Sequence, residues 1–337
     1  MASKKLKIAD YAPLIDALSR RINAWPKLTL SYAGRAQLIQ YVLQGVECYW
    51  MSILPLPIGV VERIYSLCRS FLWTSKHPPI AWLEMCRPKE EGGLGFRELI
   101  AWNTALLSRV LWRLHDQQDA LWIRWVHHTY LQDTDIWRWR AKHTDSPLLK
   151  RLAQIRDQMV ASAGSIEAAQ HLLHGWFSQH TLSRRGISQA YDFFRDTGVH
   201  VPWAGTVWKK HIQPSHRFTL WLLAHRRAEE TQEHLFFGCL QIRQLWDRIR
   251  DWLHMTHEMT TYRRMLRIYM RHYRGTGLLV RARHAAMAAL IHYVWQARSH
   301  LRFESEVFDG DHIFRRIQTH VYRSLDISLD RILHQPP

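Results

Sequence analysis

The stretch HLFFGCLQIRQLWDRIRDWL, residues 234–253, carries an apolar side chain at every third or fourth position. The stripe consists of Leu235, Cys239, Ile242, Trp246, Ile249 and Leu253. Steps of three and four residues place side chains on one face of an α-helix. The same period recurs along most of the chain and strand signals are few. The sequence therefore predicts a mostly α protein with few or no strands.

Three helices are predicted in the first 72 residues. The first has apolar residues from Tyr11 to Trp25, with Asp10 as its N-cap and Pro26 as its stop. The second follows Ser31, and the third runs over residues 60–72. Prolines and glycines in residues 74–98 predict a loop or a short hairpin, and helix resumes near Leu99.

The apolar periodicity is weaker in residues 161–202, and the chain is predicted to consist of four segments. Residues 1–160 form a helical region, and residues 161–202 form a linker with short helices. Residues 203–254 and the basic helices of residues 255–337 follow. The 17 tryptophans are better explained as core residues than as base-stacking side chains, because most lie beside other apolar residues at helical spacing.

The charge balance indicates a polyanionic partner. Lys and Arg total 46 against 29 Asp and Glu, a formal charge of +17, and nucleic acid is the commonest partner of such a protein. The four cysteines stand far apart and predict reduced thiols, hence an intracellular protein of the cytoplasm or nucleus, not a secreted one. The first ten residues do not read as a signal peptide. No apolar run approaches the ~20 residues that cross a bilayer, so a membrane partner is not expected.

Nine arginines lie between residues 255 and 302, and Glu258 is the single acidic residue of that stretch. The predicted nucleic-acid-binding residues there are Arg263, Arg264, Arg267, Arg271, Arg274, Arg281, Arg283, Arg298 and Arg302, with Trp295 as a base-stacking side chain. A row of arginines on one helix face can follow a phosphate backbone, and a solvated helix face is the alternative. For Trp295 the alternative is packing against another helix.

His234 and Cys239 resemble half of a structural zinc site, which uses four ligands. Cys48, Cys68 and Cys86 lie far upstream without C-x-x-C spacing. On one continuous helix, residues five apart point about 140° from each other and could not chelate together. A core cysteine and a residual metal ligand both remain possible at Cys239.

Several stretches resemble the part of plant-type LINE (non-LTR retrotransposon) reverse transcriptases that follows the polymerase core. They include LSYAGRAQLIQYVL, CRPKEEGGLGFREL, AWNTALLSRVLWRL and LWIRWVHHTYL. VPWAGTVWK, FTLWLL and ETQEHLFFGCLQIRQLWDRI are similar to the zinc-binding region that ends those polyproteins. The resemblance implies a thumb-like or connector helical bundle followed by a second small helical domain. Zinc is the family's cofactor there, but the C-x-x-C pair is missing, so no cofactor is expected.

The resemblance also implies that Arg20, Arg21, Lys27 and Arg35 would flank helices that contact template and primer. The family's polymerase uses an adjacent Asp pair, and this sequence has none. Asp309 and Asp311, like Asp133 and Asp135, are better explained by turns than by a cation site. The expectation is a non-catalytic C-terminal part of a reverse transcriptase that binds RNA or DNA. A helical protein-interaction or structural protein, or a retrotransposon relic without selected activity, is the alternative.

Overall fold

The computed structural model describes residues 7–26, 29–43, 50–73, 78–132, 134–178, 184–225, 234–304 and 308–325. Every regular element in these ranges is a helix, and none of these residues is in a strand. The prediction of a mostly α fold is therefore confirmed. No helix within these ranges is both long enough and apolar enough to cross a membrane.

Fifteen α-helices are numbered in chain order across the described residues. They are α1 (Ala12–Asn23), α2 (Tyr32–Leu38), α3 (Ile58–Leu72), α4 (Trp82–Cys86), α5 (Leu99–His115), α6 (Leu121–Val126), α7 (Pro147–Ala163), α8 (Ile166–Phe177), α9 (Arg184–Phe194), α10 (Ala204–Val207), α11 (Pro214–Ala224), α12 (Leu240–Trp252), α13 (Tyr262–Arg271), α14 (Leu278–Glu304) and α15 (Gly310–Leu325). There are also two short 3-10 helices, Ile8–Tyr11 and Lys89–Glu91, and three π-helical segments, Ile39–Leu43, His127–Leu131 and His234–Gly238.

The helix starts follow side-chain capping in some places and not in others. Ser31 caps α2 by accepting a hydrogen bond from the Gly34 amide at 3.2 Å, as its position predicts. The predicted cap at Asp10 is wrong. Its carboxylate accepts from the Lys7 amide at 2.6 Å and closes the preceding 3-10 turn, so α1 starts at Ala12 without a side-chain cap.

The glycine-rich stretch after α4 is a tight turn that connects distant parts of the chain. Gly92 has φ +89°, a conformation that glycine adopts at little cost. Its carbonyl accepts hydrogen bonds from Trp221 Nε1 and His225 Nε2, each at 2.7 Å. No strand forms among the described residues of this stretch, so the hairpin alternative is wrong there.

Buried apolar side chains form two clusters. The first cluster combines residues between Tyr11 and Leu106 with residues between Val207 and Leu325. The second cluster lies between Leu107 and Leu173. Helix α5 contributes to both, with Trp102 in the first cluster and Trp112 in the second. The four-segment division remains a prediction, although the first cluster draws residues from both sides of the predicted linker.

The region predicted as a linker contains α8 and α9. Helix α9 packs against α5, and α8 packs against α7. An ion pair holds the end of α9 to the glycine-rich turn, because Arg195 donates to both Glu91 carboxylate oxygens at 2.7 and 2.9 Å. The pKa of Glu91 is lowered mainly by the hydrogen bonds that Arg195 donates to its carboxylate.

Candidate nucleic-acid interface

Helix α13 separates apolar and basic side chains onto opposite faces. Its buried face consists of Tyr262, Met265, Leu266, Ile268 and Tyr269, all of which join the first cluster. Thr261 caps the helix by accepting from the Arg264 amide at 3.1 Å. The apolar face therefore fixes the orientation of the helix and turns its other face to solvent.

The exposed face of α13 is basic. Arg263, Arg264, Arg267 and Arg271 are exposed, and Arg274 is exposed just beyond the helix end. Within the described residues, none of these guanidinium groups is in an ion pair. Arg274 donates to the Met270 carbonyl oxygen. The structure thus gathers five of the predicted residues on one accessible surface.

The predicted residues of α14 occupy different surroundings. Arg283 is half-buried and donates to the Leu253 and His254 carbonyl oxygens at 2.8 to 3.1 Å. It also lies over the Tyr273 ring, 4.8 Å from its centroid. These contacts give Arg283 a structural role. Arg281 and Arg298 are half-buried, and the side chain of Arg302 lies outside the described set.

Trp295 is half-buried and packs against the first cluster. This placement favours the packing interpretation over the base-stacking one, because a stacking side chain has to leave a ring face open to the base.

The predicted N-terminal residues lie in different surroundings. Arg20 and Arg21 are exposed in the last turn of α1, and Lys27 lies outside the described residues. Arg35 is only 6% exposed and donates to the Leu30 and Leu72 carbonyl oxygens at 3.1 and 3.2 Å. These contacts give Arg35 a structural role, and its part in nucleic-acid binding stays a prediction.

The zinc half-site is only partly described. Cys239 is a half-buried free thiol that precedes α12, with extended backbone angles of φ −67° and ψ 132°. The helix is therefore interrupted at Cys239, and a continuous helix through residues 234–253 is wrong. The side chain of His234 lies outside the described residues, so its pairing with Cys239 remains a prediction. Within the described ranges, no three His, Cys, Asp or Glu side chains are arranged to hold a metal ion.

The acidic pair near α15 has structural contacts. The Asp309 carboxylate accepts from the His312 amide at 2.9 Å and Asp311 accepts from Arg248 at 2.7 Å. The hydrogen bond from His312 is the main cause that lowers the pKa of Asp309. These contacts agree with the turn interpretation. Asp133 lies outside the described residues.

The structure also assembles two groups of titratable side chains that, apart from Arg281, the sequence did not indicate. His216, His292 and His320 come together from α11, α14 and α15, with the His216 ring 4.4 Å from His292 and 4.3 Å from His320. A second group, of five basic side chains, surrounds the connection between α10 and α11. Residue spacing gives no signal for either group, because its members come from separate helices.

Parts of this chain are similar in sequence to two proteins of Arabidopsis thaliana. One is named "Putative ribonuclease H protein", and it is 36% identical over 124 residues, which cover 35% of this chain and 20% of that protein. The other is an uncharacterized mitochondrial protein, 34% identical over 92 residues, which cover 26% of this chain and 60% of that protein. The chain thus spans less than two thirds of either relative. No protein-family model matches the chain.

Proposed function

We propose that this chain is a retrotransposon-derived, non-catalytic protein that binds RNA or DNA through the exposed arginines of α13. The observation that carries the proposal is the row formed by Arg263, Arg267 and Arg271 opposite a buried apolar face. The resemblance to the end of LINE reverse transcriptases supports the origin, and so does the ribonuclease name of one relative.

The geometry of the row suits a phosphate backbone. Residues four apart on an α-helix are separated by about 6 Å along its axis, so the three arginines span about 12 Å. Long basic side chains at that spacing can contact successive phosphates without reading bases. The proposed binding is therefore strong at low salt, weak at high salt and nearly blind to sequence. It requires no metal and no catalytic residue.

The test is fluorescence anisotropy of the purified chain with a labelled single-stranded RNA over a salt series. The variant replaces Arg263, Arg267 and Arg271 by Gln. The control replaces Arg63, Arg140 and Arg185 by Gln, which are exposed in other helices and loops and remove the same charge. We expect the α13 variant to lose about tenfold or more in affinity at low salt. Its slope of log K against log salt should fall by about 2, because each phosphate contact contributes about 0.7 on a single strand.

Equal losses in the two variants would show that only net charge matters and would reject α13 as the interface. The absence of RNA and DNA binding by the wild type at low salt would reject the function and leave the structural or relic alternatives. Zinc content measured on the same sample tests the separate question of His234 and Cys239. One zinc per chain would contradict the expectation that no cofactor is needed.

A further inference from the structure

Five basic side chains surround the connection between α10 and α11. Lys209 and His211 lie in that connection, and Arg217 lies in the first turns of α11. Lys89 reaches in from the 3-10 helix before the glycine-rich turn, and Arg281 comes from the start of α14. We refer to Lys89, Lys209, His211, Arg217 and Arg281 as the basic corner. None of them belongs to the exposed row of α13.

The basic corner is half-buried, and its members are close enough to act on one another. All five side chains are of intermediate exposure. Burial and then the charge of Arg217 lower the pKa of Lys89. Burial, followed by the charges of Arg281, Lys209 and Arg217, lowers the pKa of His211 to about 4. The exposed Glu90 opposes this effect and raises the pKa of Lys89.

Hydrogen-bond donors in the basic corner lack acceptors. Trp208 Nε1 and Arg217 Nε are buried and have no hydrogen-bond partner among the described residues. Both nitrogens can only donate, so each needs an acceptor. Lys89 Nζ lies over the Trp208 ring, 5.0 Å from its centroid. Within the described part of the chain, no ion pair includes a member of the basic corner.

Half-buried cations without counterions and buried donors without acceptors destabilise a folded protein. A bound oxyanion would remove both costs at once, because its oxygens accept hydrogen bonds while its charge offsets the cations. We propose that the basic corner binds a phosphate group, with Arg217 and Lys209 as its principal ligands, Trp208 Nε1 as a neutral donor, and Lys89 and Arg281 as flanking charges.

The phosphate could belong to a nucleic acid strand or to a free ion, since both present the same oxygens. If it belongs to a nucleic acid, the basic corner adds a second contact to the function proposed for α13. If it is a free phosphate, the site exists whether or not α13 binds RNA. The experiment separates these sources.

The full chain is studied as wild type and as two single variants, Lys209→Gln and Arg217→Gln, with the Arg63→Gln variant as the control for charge. Unfolding midpoints are compared in sodium phosphate and in sodium chloride of equal ionic strength. Phosphate should raise the midpoint of the wild type and of the control, and this difference should vanish in both corner variants. In chloride, Lys209→Gln should unfold at or above the wild-type midpoint, because it removes repulsion between half-buried cations. A structural role for Lys209 predicts the reverse.

Labelled single-stranded RNA forms the second arm, with the arginines of α13 left intact. A fivefold or larger loss of RNA affinity in both corner variants, together with the phosphate effect, assigns the site to the nucleic acid backbone. A phosphate effect with unchanged RNA affinity assigns it to a free phosphate. Equal midpoints of the wild type in phosphate and chloride, with RNA affinity unchanged in the variants, would overturn the proposal. Loss of RNA binding only in the α13 variant would overturn the RNA contact at the corner and leave the function of α13 standing.

Discussion

Single buried polar residues hold this structure together at positions that apolar periodicity cannot reveal. Asn103 lies in the apolar run of α5, yet it is 3% exposed, and its amide donates to the Met51 and Leu54 carbonyl oxygens at 2.8 and 2.9 Å. Its oxygen accepts from the Leu56 amide at 3.0 Å. Arg35 is similar, since the resemblance suggested contact with a nucleic acid, whereas its hydrogen bonds lie inside the fold. A sequence pattern indicates on which face of a helix a residue lies, but it does not identify the residue's partners on other helices.

The histidines of α11, α14 and α15 make stability depend on pH. Burial, followed by the charges of His292, His320 and Arg316, lowers the pKa of His216 to about 2. Burial also lowers the pKa of His292 to about 4 and lowers that of His320. The unfolded chain binds protons at an ordinary pKa near 6.5, before the folded chain does. Each of these histidines therefore lowers stability only below about pH 6.5, and the loss continues down to its folded pKa, which is about 4 for His292 and about 2 for His216.

We expect His216→Leu to reduce that pH dependence. Each histidine that stays neutral in the fold accounts for up to about 1.4 kcal/mol of unfolding free energy per pH unit below its unfolded pKa. Urea unfolding of the wild type and the variant at several pH values between about 7 and 5 measures the slope. His128→Leu, at an exposed histidine, is the control and should keep the wild-type slope. An unchanged slope in His216→Leu would show that His216 does not titrate as described.

At the scale of elements, periodicity predicted most helices correctly, but it missed the break at Cys239 and the short helices within residues 74–98. Helix α5 was expected from Leu99 and runs over Leu99–His115. The third predicted helix is α3, and most of its apolar residues are buried, because a long amphipathic repeat leaves one orientation toward the core. The break before α12 falls at Cys239, whose extended backbone has no periodic signal in the sequence. The arginine row was predictable, whereas the basic corner requires four elements to meet.

The glycine-rich turn allows a prediction about one of its residues. A Cβ atom at Gly93 would lie 1.8 Å from the Arg87 carbonyl oxygen, so Gly93→Ala must displace backbone. We expect a loss of about 3 kcal/mol or more in unfolding free energy, measured by urea denaturation.

Gly175→Ala is the matched control. Gly175 lies inside α8, and no atom lies within 4 Å of the added methyl group. Alanine has a higher helix propensity, so this variant should gain about 0.5 to 1 kcal/mol. A small effect of Gly93→Ala would mean that the turn opens freely.

The whole molecule is organised by a core that both ends of the chain share. Helix α2 packs against α11, and the Gly92 carbonyl binds Trp221 and His225. The fold class was predictable from composition and period. The sharing of one core by distant segments was not, because contacts between segments more than 100 residues apart leave no local pattern.

A fragment of residues 1–160 tests the organisation of the whole chain. It keeps α1 to α5 but removes α11 to α15, which supply the other part of the first cluster. We expect the fragment to lack a cooperative thermal transition by circular dichroism and to bind a hydrophobic dye, in contrast to the full chain. A sharp transition would instead support the four-segment division predicted from the sequence.

The shared core has a consequence for synthesis. Translation proceeds at roughly 5 to 20 residues per second, so residue 325 is added roughly 10 to 45 s after residue 106. During that interval the apolar face of α2 that packs against α11 has left the ribosome without its final partner, while the contiguous second cluster can already close. The middle of this chain can therefore mature before its beginning, and the nascent N-terminal helices are the segment that a chaperone would have to protect.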